Sequence, residues 1–299
     1  MSPDLIDLRL FVHVAEAPSL TQGARRAHIS TAAASARIQQ LEARLGQQLF
    51  YRSARGMEPT IAGQRLLLHA RRVLHQMDHL VEEMSDTKAS SGHLRILANT
   101  TAVTELMPAV LSDFLADRPH LTIDLREQLN HDIVRGIAQG SADMGIVAGP
   151  LDTGTLERHH FSTDRLVLIT PPGHPLAEQA GITLSDMVDH AHVGLHDSSS
   201  LMQFLTHRFQ DIGATLKLRI QVSSFEAICR LVASGVGIGI IPESAARRHR
   251  QLTALSLVPI DAPWAVRERS VLVRDATALP GGGLALLEAL KHYERRDQV

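Results

Sequence analysis

The chain contains one cysteine in 299 residues, Cys229. A single thiol cannot close an internal disulfide, a Cys-rich metal site or an iron–sulfur cluster, and the scarcity fits a reducing cytosol. Aromatic residues are scarce too, at 3%, so the interior has to be built from Leu, Ile, Val and Ala. No apolar run reaches membrane-spanning length. The first residues, MSPDLIDLRLF, put Asp4, Asp7 and Arg9 where a secretory leader would carry a basic start and an apolar stretch. A secreted, periplasmic or membrane protein is therefore not expected. Excess charge is also missing, with 30 Lys and Arg against 32 Asp and Glu. What remains, 44% hydrophobic and 21% charged residues, describes folded soluble protein rather than disorder. The length suits two domains.

Catalytic signatures are absent as well. There is no Walker loop, no G-x-S-x-G elbow and no H-E-x-x-H helix. Gly235-Val-Gly237-Ile-Gly239 follows a predicted helix and enters a predicted strand, the reverse of the order a dinucleotide loop needs. His190, His192 and His196 are explained equally well by a polar strand running into a loop. Cys229 lies beside Ile228 and Val232 on the apolar side of a predicted helix, the setting of a buried, inert thiol. No enzyme activity, cofactor or metal centre is expected.

The balanced total charge conceals an asymmetry. Residues 1–72 hold ten arginines and five carboxylates, a net +5, and the remainder carries −7. A basic N-terminal module on an acidic body suggests that only the first part meets a polyanion. Leu8, Phe11, Val12 and Ala15 recur at helical spacing and predict a first helix ending near Pro18. Ser19-Leu20-Thr21 starts a short second helix running to about Ala27. After a break at Ile29, Ser30 caps a third helix that runs to Gly46, with Ala34, Ile38, Leu41 and Leu45 on one buried stripe. Its other face presents Ala32, Ala36, Gln39 and Ala43, flanked by Thr31, Ser35, Arg37 and Gln40. Solvated helix faces usually carry long charged side chains; one lined with alanine suits close approach by another surface.

This succession reads as a helix-turn-helix whose last helix enters the major groove with its N-terminal residues at base edges. An ordinary three-helix bundle with an inward alanine face would give the same pattern. In the groove pose Gln39 or Gln40 can pair with adenine, and Ala32 or Ala36 can touch a thymine methyl. Arg25, Arg26, Arg52 and Arg55 then hold phosphates. Thr21, Gln22, Ser30, Thr31, Ser35 and Arg37 complete the expected DNA-contacting set.

Residues 8–63 resemble the winged helix-turn-helix of the LysR-type transcriptional regulators. The match runs through LRLFVHVAEAPSLTQGARRAHIS, TAAASARIQQLEARLG, the wing QQLFYRSARG and PTIAG at the start of the next helix. The sequence departs from the usual family pattern at Gly23, Ala27, Thr31 and Ala32.

From Thr60 a helix is predicted to about Thr87. Leu66, Ala70, Val73, Met77, Leu80 and Met84 form a heptad seam, widened by Leu67, Leu74 and Val81. A core helix of the following domain would account for part of this. A seam that persists along the whole helix and then yields to the linker KASSGH favours dimerisation. The family resemblance implies a homodimer, commonly assembled into a tetramer. His75 and His79, four residues apart, have the spacing of a metal pair, but they project away from the seam without a third ligand and are read as solvated.

Beyond residue 93 short aliphatic strands alternate with helices, which predicts an α/β body with mainly parallel sheets. Strands are predicted at 94–98, 121–127, 143–148, 165–170, 192–195, 218–222 and 238–241, with helices at 101–116, 131–139, 200–212, 224–234 and 283–294. This order resembles the LysR-type effector domain, which is similar in fold to periplasmic binding proteins. The implied organisation is a winged helix-turn-helix domain (1–59), a linker helix (60–87), a hinge linker (88–92) and an effector domain (93–299). Lobe one spans 93–162 and 267–299, and lobe two 163–266, with crossings near 161–164 and 266–268.

Three strand ends lead into helices through short polar residues: Asn99-Thr100-Thr101, Ser198-Ser199-Ser200 and Ser223-Ser224. Taken singly they are N-caps; together at one cleft they would offer hydroxyls and backbone N–H groups to a polar or anionic ligand. The resemblance adds Gln128, Asn130 and the Val147-Ala148-Gly149 turn to this effector-binding set. The expectation is a bacterial, cytoplasmic, nucleoid-associated transcriptional regulator that binds sequence-specific double-stranded DNA, itself and a small-molecule effector, with RNA polymerase as a further partner and no membrane.

Overall fold

A computed structural model describes residues 3–53, 56–85 and 92–297. Arg55 and the linker residues 88–91 lie outside the described residues, as do the side chains of Arg52 and His79. The chain forms two compact units, the first within the N-terminal 88 residues and the second within those that follow.

The first unit begins with α1 (Leu5–Ala15), α2 (Leu20–Arg26) and α3 (Thr31–Leu45). Each starts where a short polar side chain can take an orphan amide. Asp4 accepts from Asp7 N at 2.7 Å, Ser19 from Gln22 N at 3.3 Å and Ser30 from Ala33 N at 3.2 Å. The chain reverses between α2 and α3 at His28, held at φ +53°, and α3 ends at Gly46, φ +64°. Gly23 lets the first two helices touch, because a Cβ there would lie 2.6 Å from Val14 Cα.

Phe11, Val14, Ala34, Ile38, Leu41 and Phe50 are completely buried, and the Phe11 and Phe50 rings sit 5.1 Å apart. Leu45, predicted on the buried stripe, is exposed, because the last turn of α3 runs past the edge of this core. An antiparallel hairpin, β1 (Phe50–Ser53) with β2 (Gly56–Pro59), forms the wing.

Helix α4 (Ile61–Ser85) begins at Thr60, whose hydroxyl accepts from Gly63 N at 3.0 Å and donates to Gln48 O at 2.6 Å. Ala70 is buried and Leu66, Leu67 and Leu74 pack on the helix-turn-helix core. Val73, Leu80, Val81 and Met84 remain exposed. His75 corrects its expected placement: it is buried rather than solvated. It shares a face with Arg71 and Asp78, and that face packs along α1, where Asp78 meets Arg9 at 3.1 Å and Arg71 meets Glu16 at 2.9 Å.

The second unit opens with β3 (Gly92–Ala98), a π-helical turn at Ala102–Leu106 and α5 (Met107–Ala116). It continues through β4 (Leu121–Glu127), α6 (Asn130–Gln139), β5 (Met144–Ala148) and the long β6 (Glu157–Thr170). Then come α7 (Leu184–Met187), β7 (His192–Leu195), α8 (Ser200–Asp211), β8 (Leu218–Val222) and α9 (Phe225–Ala233). The chain closes with β9 (Gly239–Pro242), α10 (Glu243–Arg250), β10 (Ser256–Pro259), β11 (Val266–Val273) and α11 (Gly283–Asp297).

A seven-stranded sheet runs β10-β6-β11-β5-β3-β4, with β9 also on β6, and β7 pairs with β8. The sheets are not mainly parallel. Among the described strand pairs, β3 with β4, β3 with β5 and β7 with β8 are parallel; β6 runs antiparallel to β9, β10 and β11, and β11 antiparallel to β5. The cause is that β6 leaves one lobe and β11 returns to it, so the two connecting strands lie side by side in opposite directions. Each lobe has its own interior: one cluster gathers Leu94, Ile96, Met107, Phe161 and Leu287, and a second gathers Leu168, Phe209, Phe225, Ile241 and Val258.

Candidate functional site

The N-terminal candidate is the outer face of α3. Thr31, Ala32, Ala33, Ala36, Gln39, Gln40 and Ala43 are exposed, while Ala34, Ile38 and Leu41 turn inward. Thr21, Gln22, Arg25 and Arg26 lie exposed on α2, and Ser30 is exposed at the cap of α3. Ser35 is half-buried beside the face. Arg37 has a partner within the fold: it bonds Asp7 at 3.0 Å, and Asp7 is buried and also bound by Arg44 at 2.8 Å. Those two arginines neutralise a carboxylate that α1 buries, so Arg37 fastens α3 to α1.

The second candidate is a cleft in the effector-like unit, where the lobes meet. Asn99, Thr100, Thr101, Asn130, Ala148 and Ser200 line it, joined by Asp164, Arg165, Leu166, Leu201, Pro242, Arg267 and Arg269. Asn99 organises one wall: its side chain accepts from Ala102 N at 3.0 Å and donates to Asn130 Oδ1 at 3.1 Å. Asn130 in turn donates to Ala148 O at 3.1 Å, and its backbone N–H reaches across to Ser200 Oγ at 2.8 Å. Thr100 is held by Glu127 at 2.5 Å. A second tie across the lobes joins Arg248 to the buried Glu105 at 2.7 Å. The empty space between its walls is about 420 Å³, counting solvent at its mouth.

Charge at the cleft comes from β6 and β11. Arg269 pairs with Asp164, which also accepts from Ser244 Oγ at 2.6 Å and from Arg165 N at 2.8 Å. Arg267 is different. Its Nη2 donates to Ala148 O at 3.0 Å, its guanidinium lies 3.9 Å from the centre of the Phe204 ring, and its Nη1 is buried with no hydrogen-bond partner. Burial, with a smaller contribution from the charge of Arg208, pulls its pKa down to about 10, so it stays cationic at neutral pH.

Several expected cleft residues lie elsewhere. Gln128 is exposed and continues the strand pairing through its N–H to Ala98 O at 2.9 Å. Val147 is buried in an apolar cluster with Ile133 and Leu272. Ser198 is exposed. Ser199 is buried as the cap of α8, accepting from Met202 N at 3.1 Å. Ser224 caps α9 in the same way, accepting from Ala227 N at 3.2 Å, and Ser223 is exposed beside it; neither lines the cleft. Gly149 serves the cleft indirectly, since a Cβ there would lie 2.5 Å from the Arg267 guanidinium.

Sequence reading missed Arg267 and Arg269. Their signal was two arginines at alternate positions, either side of Glu268, just before the apolar run that ends β11, which puts both on one face of the strand.

Cys229 is buried and its thiol is pushed up to about 12, by burial first and then by the Glu105 charge. Among the described residues no three His, Cys, Asp or Glu side chains converge as a metal site requires, and no helix is long and apolar enough to cross a membrane.

Residues 5–64 match the pattern of the bacterial regulatory helix-turn-helix protein, lysR family, and residues 87–294 match the LysR substrate binding domain. The chain belongs to the LysR family of transcriptional regulators. Among LysR-like relatives, a probable RuBisCO transcriptional regulator of Emiliania huxleyi is 29% identical, over 90% of this chain and 88% of its own length. The transcriptional regulator CzcR of Bacillus cereus is 26% identical over 81% of each chain. In fold, a full-length OxyR variant from Pseudomonas aeruginosa superposes with a TM-score of 0.70 at 22% identity, covering 99% of this chain and 95% of that one. CbnR complexed with its target DNA gives 0.63 at 21% identity, covering 98% and 100%. The LysR family thus accounts for both units, each matched by its own pattern.

Proposed function

We propose that this LysR-type regulator is a cytoplasmic homodimer, paired further into a tetramer, that reads duplex DNA with the N-terminal half of α3. A small polar or anionic effector occupies the cleft and changes how the DNA-binding heads are held. Residues 1–59 act as the DNA-binding domain, 60–87 as the dimerising linker helix, 88–92 as the hinge and 93–299 as the effector domain. It acts without a cofactor and catalyses no reaction, and RNA polymerase is its further partner at the promoter.

The observation that carries this reading is the exposed alanine face of α3. An α-helix that shows Ala32, Ala36, Gln39 and Gln40 outward, with Arg25 and Arg26 beside it, has the slim profile and the amide groups that a major groove accepts. CbnR, of the same fold, was captured on its target DNA. For the effector, the support is a cleft walled by amides and hydroxyls around a buried arginine with an unused N–H. An effector acts on DNA binding only through differential affinity for two arrangements of the protein.

The test is a gel-shift titration with the duplex upstream of the chain's own gene against a scrambled duplex. Selective binding that weakens steeply with salt is expected. Ala36→Glu, at an exposed position, should cost about 1–3 kcal/mol of affinity and leave the melting temperature unchanged. Equal affinity for both duplexes, or an unaffected variant, refutes the reading.

A further inference from the structure

One buried nitrogen on β7 has no partner in the fold. His192 is 2% exposed, and its Nε2 makes no hydrogen bond. Its Nδ1 lies 3.0 Å from His190 O, and a carbonyl only accepts, so Nδ1 carries the proton. Burial lowers the pKa of this ring to about 4, so it is neutral at pH 7. Nε2 is therefore a bare acceptor inside the protein, a situation buried polar atoms rarely meet. Phe209, whose ring meets that of His192 edge-on at 5.5 Å, brings only carbon.

His192 also walls a cavity inside lobe two, lined from β7, β8, β9 and α8. The empty space between its walls is about 300 Å³, counting solvent at its mouth. Leu195, Leu201, Met202, Leu205 and Leu218 form most of the wall, and among the described lining residues His192 alone has a side-chain nitrogen or oxygen. The backbone of β7 is engaged, with His192 N donating to Lys217 O and Val193 N to Ile238 O, each at 2.8 Å. A buried water needs roughly two to four polar partners, and the side chains here supply one. A mostly carbon body with a single donor suits such a wall better: it satisfies Nε2 and covers the leucines. Met202 is the wall that gives way most easily to it, as an unbranched thioether.

We infer that this cavity is a ligand site of its own, for a small neutral molecule of the phenol or indole class that donates its one O–H or N–H to His192 Nε2. It does not depend on what the cleft takes. Leu201 lines both spaces, and α8 starts at Ser200, which accepts from Asn130 N across the lobes at 2.8 Å. An occupant under α8 thus bears on one of the ties between the lobes.

The full chain, isotope-labelled at its histidine nitrogens, is titrated at pH 7 with phenol and in parallel with benzene, the same ring without a donor. One Nε2 resonance, identified by its loss in His192→Leu, should move saturably with phenol and far less with benzene. Phenol should bind at least tenfold more tightly than benzene, and His192→Leu should abolish that preference. A Cβ at Gly194 would lie 2.9 Å from Met202 Sδ and 3.0 Å from Leu218 Cδ2. Gly194→Ala therefore takes up part of the space while keeping His192, and should weaken phenol at least tenfold; it carries the comparison if His192→Leu does not fold. An Nε2 resonance that phenol leaves in place, or phenol binding no tighter than benzene, refutes the site. A phenol response untouched by the variants refutes it too, by putting the phenol elsewhere.

Discussion

Gly149 and Arg267 share one small volume. Gly149 sits at φ +88°, a region L side chains avoid, and a Cβ there would lie 2.5 Å from the guanidinium carbon. Glycine is required on both counts. Gly149→Ala should therefore lower stability in urea unfolding by about 1–3 kcal/mol by displacing Arg267. At this scale the sequence was partly legible. Gly149 entered the expected set through the family resemblance, but its partner Arg267 is remote in the chain, and no local pattern names it. Arg37 shows the opposite limit. By spacing it belongs beside the alanine face, yet a single buried carboxylate, Asp7, draws it to α1. Caps were easier: Ser19, Ser30, Ser199 and Ser224 all satisfy amides three positions ahead, so the pattern is complete within one turn.

Helix α4 carries two surfaces with different fates. Its first half is covered within its own unit, whereas Leu80 and Met84 are 48% and 80% exposed. Solvent does not favour such a stripe, and a second copy of the helix fits the heptad spacing. Leu80→Glu combined with Met84→Glu should shift the protein towards monomer in sedimentation velocity at micromolar concentration, with unchanged helicity, since neither side chain supports the core. A variant that sediments as the parent does would remove α4 from the interface. The heptad spacing was readable from sequence; the burial of His75 was not, because it depends on how α1 lies against α4. Strands β6 and β11 were the least legible elements. Their charged stretches, Glu157–His160 and Arg267–Arg269, interrupt the apolar alternation that marks a strand.

For the effector-like unit as a whole, acid is the natural probe of packing. His192 is buried on β7, where its Nδ1 donates to His190 O at 3.0 Å and its ring meets Phe209 edge-on at 5.5 Å. Burial is the main cause that lowers its pKa from 6.5 to about 4. The unfolded chain therefore takes up a proton near pH 6.5 that the folded chain refuses until about pH 4. Stability is complete above that window and falls on acidification through it, by on the order of 2 kcal/mol. Urea unfolding at pH 7 and pH 4.5 should show this loss, and His192→Gln should reduce it; an identical loss in the variant would place the sensitivity elsewhere. The two-lobed design was legible in the order of elements, whereas the antiparallel seam was not, since strand direction follows from where the chain returns.

The two ties across the lobes, Asn130–Ser200 and Glu105–Arg248, carry a kinetic consequence. If the cleft takes an effector as proposed and closes around it, these ties have to part for it to enter. Occupancy then follows a gate, and its rate levels off at high ligand concentration instead of climbing in proportion. Response time becomes a property of the fold, set by how often two hydrogen-bonded latches let go together.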